Sequence, residues 1–170
     1  RSENGRFVNE PIGPGLSGST SGKGGMAQGT KTNRRESIVC LEIGMLLRDE
    51  LLRQGANVIM TREDQTTFHT NIERCEIAEA GGAQIMLRLH CNNSSNRSKR
   101  GIQVYGPLNS DYAKAVADAD TYREMGQKLL DAMKMRVGMT LANSTGMVRL
   151  NDNYVGNNWA KMMCFLVEMG

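Results

Sequence analysis

Three polar residues stand where their types could do chemistry. Glu36 opens a helical pattern, His90 leaves an apolar run, and Glu168 ends another. Carboxylates and imidazoles are the side chains that most often move protons or hold ions. Glu168 follows the apolar run 162–167, and burial there is costly unless the group is paired, bound to an ion or facing a cleft. Each residue also has a plainer reading. Asn33 and Glu36 have capping-box spacing, in which Asn33 accepts from the amide of Glu36 and Glu36 reaches back. His90, followed by Cys91-Asn92-Asn93, reads equally as a hydrogen-bonded histidine at a strand end. His69, before a helix start, reads as a surface or helix-entry residue. Arg88 shares a strand face with His90 and could pair with an acid. Tyr105 and Trp159 read as core or rim packing.

The elements that must position these groups follow from periodicity. Residues 1–33 are rich in Gly, Ser, Asn and Thr and carry no period, which predicts a long loop. Loops of that length are often functional or mobile, and the stretch 9–30 is expected to border the site. From Glu36 the apolar residues Ile38, Leu41, Met45 and Leu52 recur at helical spacing up to Gly55. A short strand is expected over 56–61, a helix over 71–80, a strand over 83–90, a polar loop over 92–99 and a strand over 101–105. One long helical stretch is expected over 111–137, closed by Gly138, then a short strand at 148–150 and a buried strand at 162–168. Alternation of this kind predicts an α/β fold: three layers, a mostly parallel twisted sheet with helices on both faces. Ligands of such sheets bind beyond the carboxyl ends of the strands, which selects Thr61-Arg62, His90 and Glu168.

Composition narrows the classes. The chain has 170 residues, 39% hydrophobic and 23% charged, the size and make-up of one globular domain. A net charge of +3 with 5% aromatics argues against nucleic acid as a partner. No apolar run reaches the roughly 18–20 residues of a membrane span. The four cysteines form no CxxC pair, so they read as small core residues rather than a zinc knuckle, a redox motif or a disulfide framework. There is no GxGxxG or Walker-type loop, which leaves nucleotide binding without support.

Taken in order, the local contexts resemble those of the zinc-dependent N-acetylmuramoyl-L-alanine amidases of bacterial cell walls. Glu36-Ser37-Ile38-Val39-Cys40-Leu41 resembles the family's Glu-x4-Leu helix head, and Val58-Ile59-Met60-Thr61-Arg62 its Val-x-x-Thr-Arg segment. Arg74-Cys75-Glu76-Ile77-Ala78 is similar to its Arg-x-x-x-Ala helix, and Arg88-Leu89-His90-Cys91-Asn92 to its Ile-His-Ala-Asn. Gly101-Ile102-Gln103-Val104-Tyr105 resembles its Gly-x-x-Val-Tyr, and Leu166-Val167-Glu168-Met169-Gly170 its Leu-Val-Glu-x-Gly. The loop Glu10-Pro11-Ile12-Gly13-Pro14-Gly15 is similar to a variant of Gram-positive, spore-forming members.

The resemblance implies a peptidoglycan hydrolase in which a zinc-activated water cleaves the amide between N-acetylmuramic acid and L-alanine. It implies Zn2+ held by Glu36, His90 and a further histidine, with Glu168 as the catalytic carboxylate. The family's Asp-Pro-Gly-His segment, which carries that histidine, does not occur in this sequence, and His69 does not align with it. Residues 1–170 are therefore expected to be a single amidase-like catalytic domain, a fragment lacking the first strand and the C-terminal tail. Peptidoglycan as the partner implies an extracellular or cell-wall location. The alternative is a non-catalytic peptidoglycan-binding domain with an incomplete metal site; a structural interaction domain without sugar affinity is a third reading.

Overall fold

The computed structural model describes residues 9–20, 27–92, 101–137 and 148–170. Helix α1 (Glu36–Arg53) leads through a segment without helix or strand to α2 (Asn71–Ala80). Strands β1 (Ile85–His90) and β2 (Gln103–Gly106) follow, then α3 (Asp111–Val116) and α4 (Ala119–Val137). Strand β3 (Arg149–Leu150), α5 (Val155–Trp159) and β4 (Met163–Glu168) complete the order. No helix among the described residues is long and apolar enough to cross a membrane.

The strands form one sheet in the order β1-β4-β2-β3. β1 runs parallel to β4 and β2 parallel to β3, while β2 is antiparallel to β4. The carboxyl ends of β1 and β4 and the start of β2 therefore share one edge. Alternation sends successive residues of β4 to opposite faces. Phe165 and Val167 join Val104, Tyr122 and Leu130 under α4, and Cys164 joins Cys75, Ala78 and Met86 under α2 and α5. Helices thus cover both faces, as the alternation of apolar segments predicts.

α2 begins where the sequence predicts, and its start is doubly fixed. Thr70 Oγ1 accepts from the Glu73 amide at 3.2 Å while Glu73 Oε2 accepts from the Thr70 amide at 2.7 Å. Glu10, 6% exposed, adds its carboxylate to the same helix start, accepting from the amides of Asn71 and Ile72 and from Asn71 Nδ2. An acid at a helix N-terminus satisfies orphan amides and meets the positive end of the helix dipole. Residues 9–20 are consequently not a free loop: Trp159 Nε1 donates to Pro11 O, and Asn158 Nδ2 to Ile12 O.

Three expectations change, and one element is new. Residues 56–61 form no strand; no described strand pairs with them, and they and β1 line the same cleft of about 1950 Å³. The segment is placed instead by side chains, with Met60 against Gly44 of α1 and Ile59 against Gly81 at the end of α2. The stretch 111–137 is two helices, because Ala117 is extended (φ −164°, ψ 163°) and Asp118 Oδ1 accepts the Thr121 amide at 2.7 Å, capping a new start. Short α5 is an element that periodicity does not reveal. Asn33 is no cap: it has φ 54°, its side chain accepts from Gln28, and Arg35 occupies the N-cap without a side-chain bond. The polar loop at 93–99 and the closing Gly138 lie outside the described residues.

Two stability outcomes follow from these contacts. Leu130 is 1% exposed in the α4 cluster, so Leu130→Ala should cost about 2–5 kcal/mol in urea unfolding. Asp64 accepts from the amides of Thr66 and Thr67 at 2.7 and 2.5 Å and from both hydroxyls. These bonds hold its pKa down from 3.8 to about 2. A depressed carboxyl stabilises the fold above its unfolded pKa and loses that effect as pH falls through the folded value. Asp64→Asn should therefore lower Tm near neutral pH, and the deficit should narrow below about pH 4 and vanish as pH passes through about 2.

Candidate active site

Glu36, the first residue of α1, turns away from its own helix end and across to β1. Its Oε1 lies 3.0 Å from His90 Nδ1 and accepts the Cys91 amide at 3.0 Å. The Glu36 amide is meanwhile taken by Ala27 O at 2.8 Å. The capping-box reading is thereby excluded, and the two residues that the family resemblance singles out as metal donors are brought together. His90 Nδ1 and Glu36 Oε1 thus stand side by side as two polar atoms at one point.

Glu168 stands beside them. It is the register partner of His90 across β1 and β4 and of Gln103 across β4 and β2. Adjacent strands lie about 4.8 Å apart, and partners in register point to the same face. The Met169 amide donates to His90 O at 2.8 Å, which closes the strand ends together. Glu168 Oε2 is buried and has no hydrogen-bond partner among the described residues. A buried unpaired carboxylate oxygen is costly, which is the mark of a group held for a ligand rather than for the fold.

The two carboxylates are driven in opposite directions. Burial acts to raise Glu36, but the hydrogen bonds from His90 and the Cys91 amide outweigh it and hold the group below its ordinary 4.5. Burial also raises Glu168; His90 opposes the shift, the Glu36 charge adds to it, and Arg88 opposes it, with a net rise above 4.5. Carboxylates whose surroundings push them apart are the pattern expected where one stays anionic and the other exchanges protons.

Arg88 shares the face of His90, as the strand pattern predicts, but its hydrogen bonds go to amides rather than to an acid. Its Nη1 donates to Asn157 Oδ1 at 3.0 Å and its Nη2 to Asn71 Oδ1 at 2.7 Å. Gly156 makes room for it, since a Cβ there would sit 2.6 Å from Arg88 Nε. His69 stays at the helix entry, where its carbonyl accepts from Arg74 Nε at 3.0 Å. Thr61 and Arg62 line the same cleft, and Arg62 Nη2 donates to Ser37 O in the first turn of α1 at 2.5 Å. The cleft also takes in Glu10, Thr20, Glu36 and His90, so the early loop does border the site.

Sequence reasoning missed the support of this site. Asn71 and Asn157 hold Arg88, and Tyr154 packs on Tyr105 with ring centroids 5.1 Å apart. Burial raises Tyr154 to about 12, with the charge of Glu168 contributing. None of these residues has a local signature; only the choice of Asn at 157 within the apolar context 155–160 hints at a buried polar role. Tyr105 Oη donates to Gln103 Oε1 at 2.7 Å, next to Glu168 in register.

A family profile described as N-acetylmuramoyl-L-alanine amidase matches residues 12–170. No curated protein sequence matches the chain. Among solved structures, an N-acetylmuramyl-L-alanine amidase of Mycobacterium smegmatis has a TM-score of 0.76 at 18% identity, covering 96% of this chain and 74% of that one. The apo form of one from Mycobacterium abscessus has a TM-score of 0.73 at 20% identity, with 100% and 78% covered. An N-acetylmuramoyl-L-alanine amidase of Nostoc punctiforme has a TM-score of 0.64 at 23% identity, with 84% and 69% covered. At these identities the likeness establishes the shared α/β fold.

The electrostatic arrangement has a direct readout. Arg88 opposes the rise of Glu168, so Arg88→Met should move the Glu168 carboxyl titration, followed by NMR, to higher pH. A fall would contradict the arrangement. The same change strands two amide oxygens and should cost about 1.5–3 kcal/mol.

Proposed function

Because the chain belongs to the N-acetylmuramoyl-L-alanine amidase family, we propose that it hydrolyses the amide between N-acetylmuramic acid and L-alanine in peptidoglycan, with zinc. The observation that carries this reading is the convergence of Glu36 and His90, 3.0 Å apart, with Glu168 as the neighbour of His90 in register. A location outside the cytoplasmic membrane, at the cell wall, follows from that substrate.

The donor set suits zinc as far as it goes. An imidazole and a carboxylate are its usual hydrolytic ligands, and His90 Nδ1 and Glu36 Oε1, 3.0 Å apart, are the atoms that could face one ion together. Among the described residues no group of three His, Cys, Asp or Glu is disposed to hold one. Glu36 and His90 thus supply two ligands of the three that the family resemblance implies. Zinc at this point would polarise the amide carbonyl and acidify a water.

The chain's own residues do the rest. The Cys91 amide fixes Glu36 beside His90. Glu168, raised by burial, is suited to take a proton from the attacking water at Oε2 and to deliver it to the departing amine of L-alanine. Its buried, unpartnered oxygen is the acceptor this step needs. Arg88, positioned by Asn71 and Asn157, keeps that carboxyl from rising further.

The test is release of stem peptides bearing a new L-alanine amino terminus from purified cell walls by the metal-loaded protein. Glu168→Ala should retain the metal and lose about 10²–10⁴-fold in rate. His90→Ala should lose metal and rate together. An unchanged rate for Glu168→Ala would overturn the assignment. Wall binding with no peptide release by the metal-loaded protein would leave the chain a peptidoglycan-binding domain.

A further inference from the structure

Two thiols flank the site without a part in its chemistry. Cys40 lies on α1, one turn after Glu36, and Cys91 directly follows His90. Their sulfurs are 3.9 Å apart, and all four cysteines are free thiols. The contact joins residues 51 apart in the chain. Both thiols are half-buried, unlike Cys75 and Cys164, which are buried in the α2 cluster. The backbone at Cys91 is pinned to the head of α1, because its amide donates to Glu36 Oε1 at 3.0 Å.

We propose that Cys40 and Cys91 form an intramolecular disulfide that ties the first turns of α1 to the exit of β1, beside Glu36 and His90. A sulfur–sulfur bond is about 2.05 Å long, so from their 3.9 Å separation the sulfurs close by roughly 2 Å. The oxidant is a small-molecule disulfide. One cysteine sulfur, as thiolate, attacks it, forms a mixed disulfide and expels one thiol. The second cysteine thiolate then attacks the protein-side sulfur and expels the other. Two protein S–H bonds become one S–S bond, and the oxidant gains two electrons and two protons as two thiols. The bond cross-links the two elements that carry Glu36 and His90, so it restrains the separation of those groups in the unfolded chain and in local opening.

The inference concerns the site of the proposed amidase, yet its readouts are a mass and a melting temperature, which need neither metal nor hydrolysis. The folded protein is incubated with oxidised glutathione, quenched with acid, digested without reduction and analysed by mass spectrometry. The expected result is loss of two hydrogens, a peptide pair linked through Cys40 and Cys91, and a Tm higher by several degrees that dithiothreitol reverses. Cys40→Ala and Cys91→Ser should each abolish the link and the Tm gain; agreement between the two guards against a folding defect in either. Glutathione adducts on Cys40 and Cys91 with no internal link would overturn the proposal, as would a link through Cys75 or Cys164, or thiols that stay free. A linked but inactive protein would count against the hydrolase and not against the disulfide.

Discussion

One oxygen organises the functional edge of this molecule. Glu36 Oε1 lies 3.0 Å from His90 Nδ1 and accepts the Cys91 amide, across 54 and 55 residues of chain. Those two contacts carry the first residue of α1 to the exit of β1 and leave its helix start without a side-chain cap. The sheet edge is then completed by register alone: once β4 pairs parallel to β1, Glu168 stands next to His90. A slip of one residue would send Glu168 to the opposite face.

The burial that builds the edge also sets its chemistry. The same desolvation acts on both carboxylates, and the difference between them is their hydrogen bonding. Glu36 has two strong donors on one oxygen and sits below its ordinary pKa. Glu168 has an oxygen with none among the described residues and sits above. Arg88 moderates that rise from a fixed position between two asparagines, on a space that Gly156 leaves open. The polar groups that matter to the site therefore come from β1, β4, α1, α2 and α5 together.

Much of this was legible in the sequence where a residue's role depends on its immediate neighbours. The start of α2 at Asn71, the strand around Leu87 and the strand ending at Glu168 follow from local periodicity and turn residues. The convergence of Glu36 with His90 was legible through the ordered family contexts, while spacing alone favoured a cap at Asn33. What stayed hidden depends on distant chain. Residues 56–61 have the apolar content of a strand, yet a strand requires a partner, and no described strand pairs with them. The break at Ala117 requires knowing that Asp118 caps a second helix. Glu10 at the α2 start acts over 61 residues and leaves no local trace.

If Glu36 and His90 hold a hydrolytic zinc ion, as proposed, Glu168 stands beside that ion and not among its ligands. Anomalous diffraction at the zinc edge from crystals of the zinc-loaded protein reads this out. One strong peak within coordination distance of a Glu36 oxygen and a His90 nitrogen, with Glu168 adjacent, is expected. A peak held elsewhere, for instance at His69, or no peak near Glu36 and His90 under saturating zinc, would contradict that proposal.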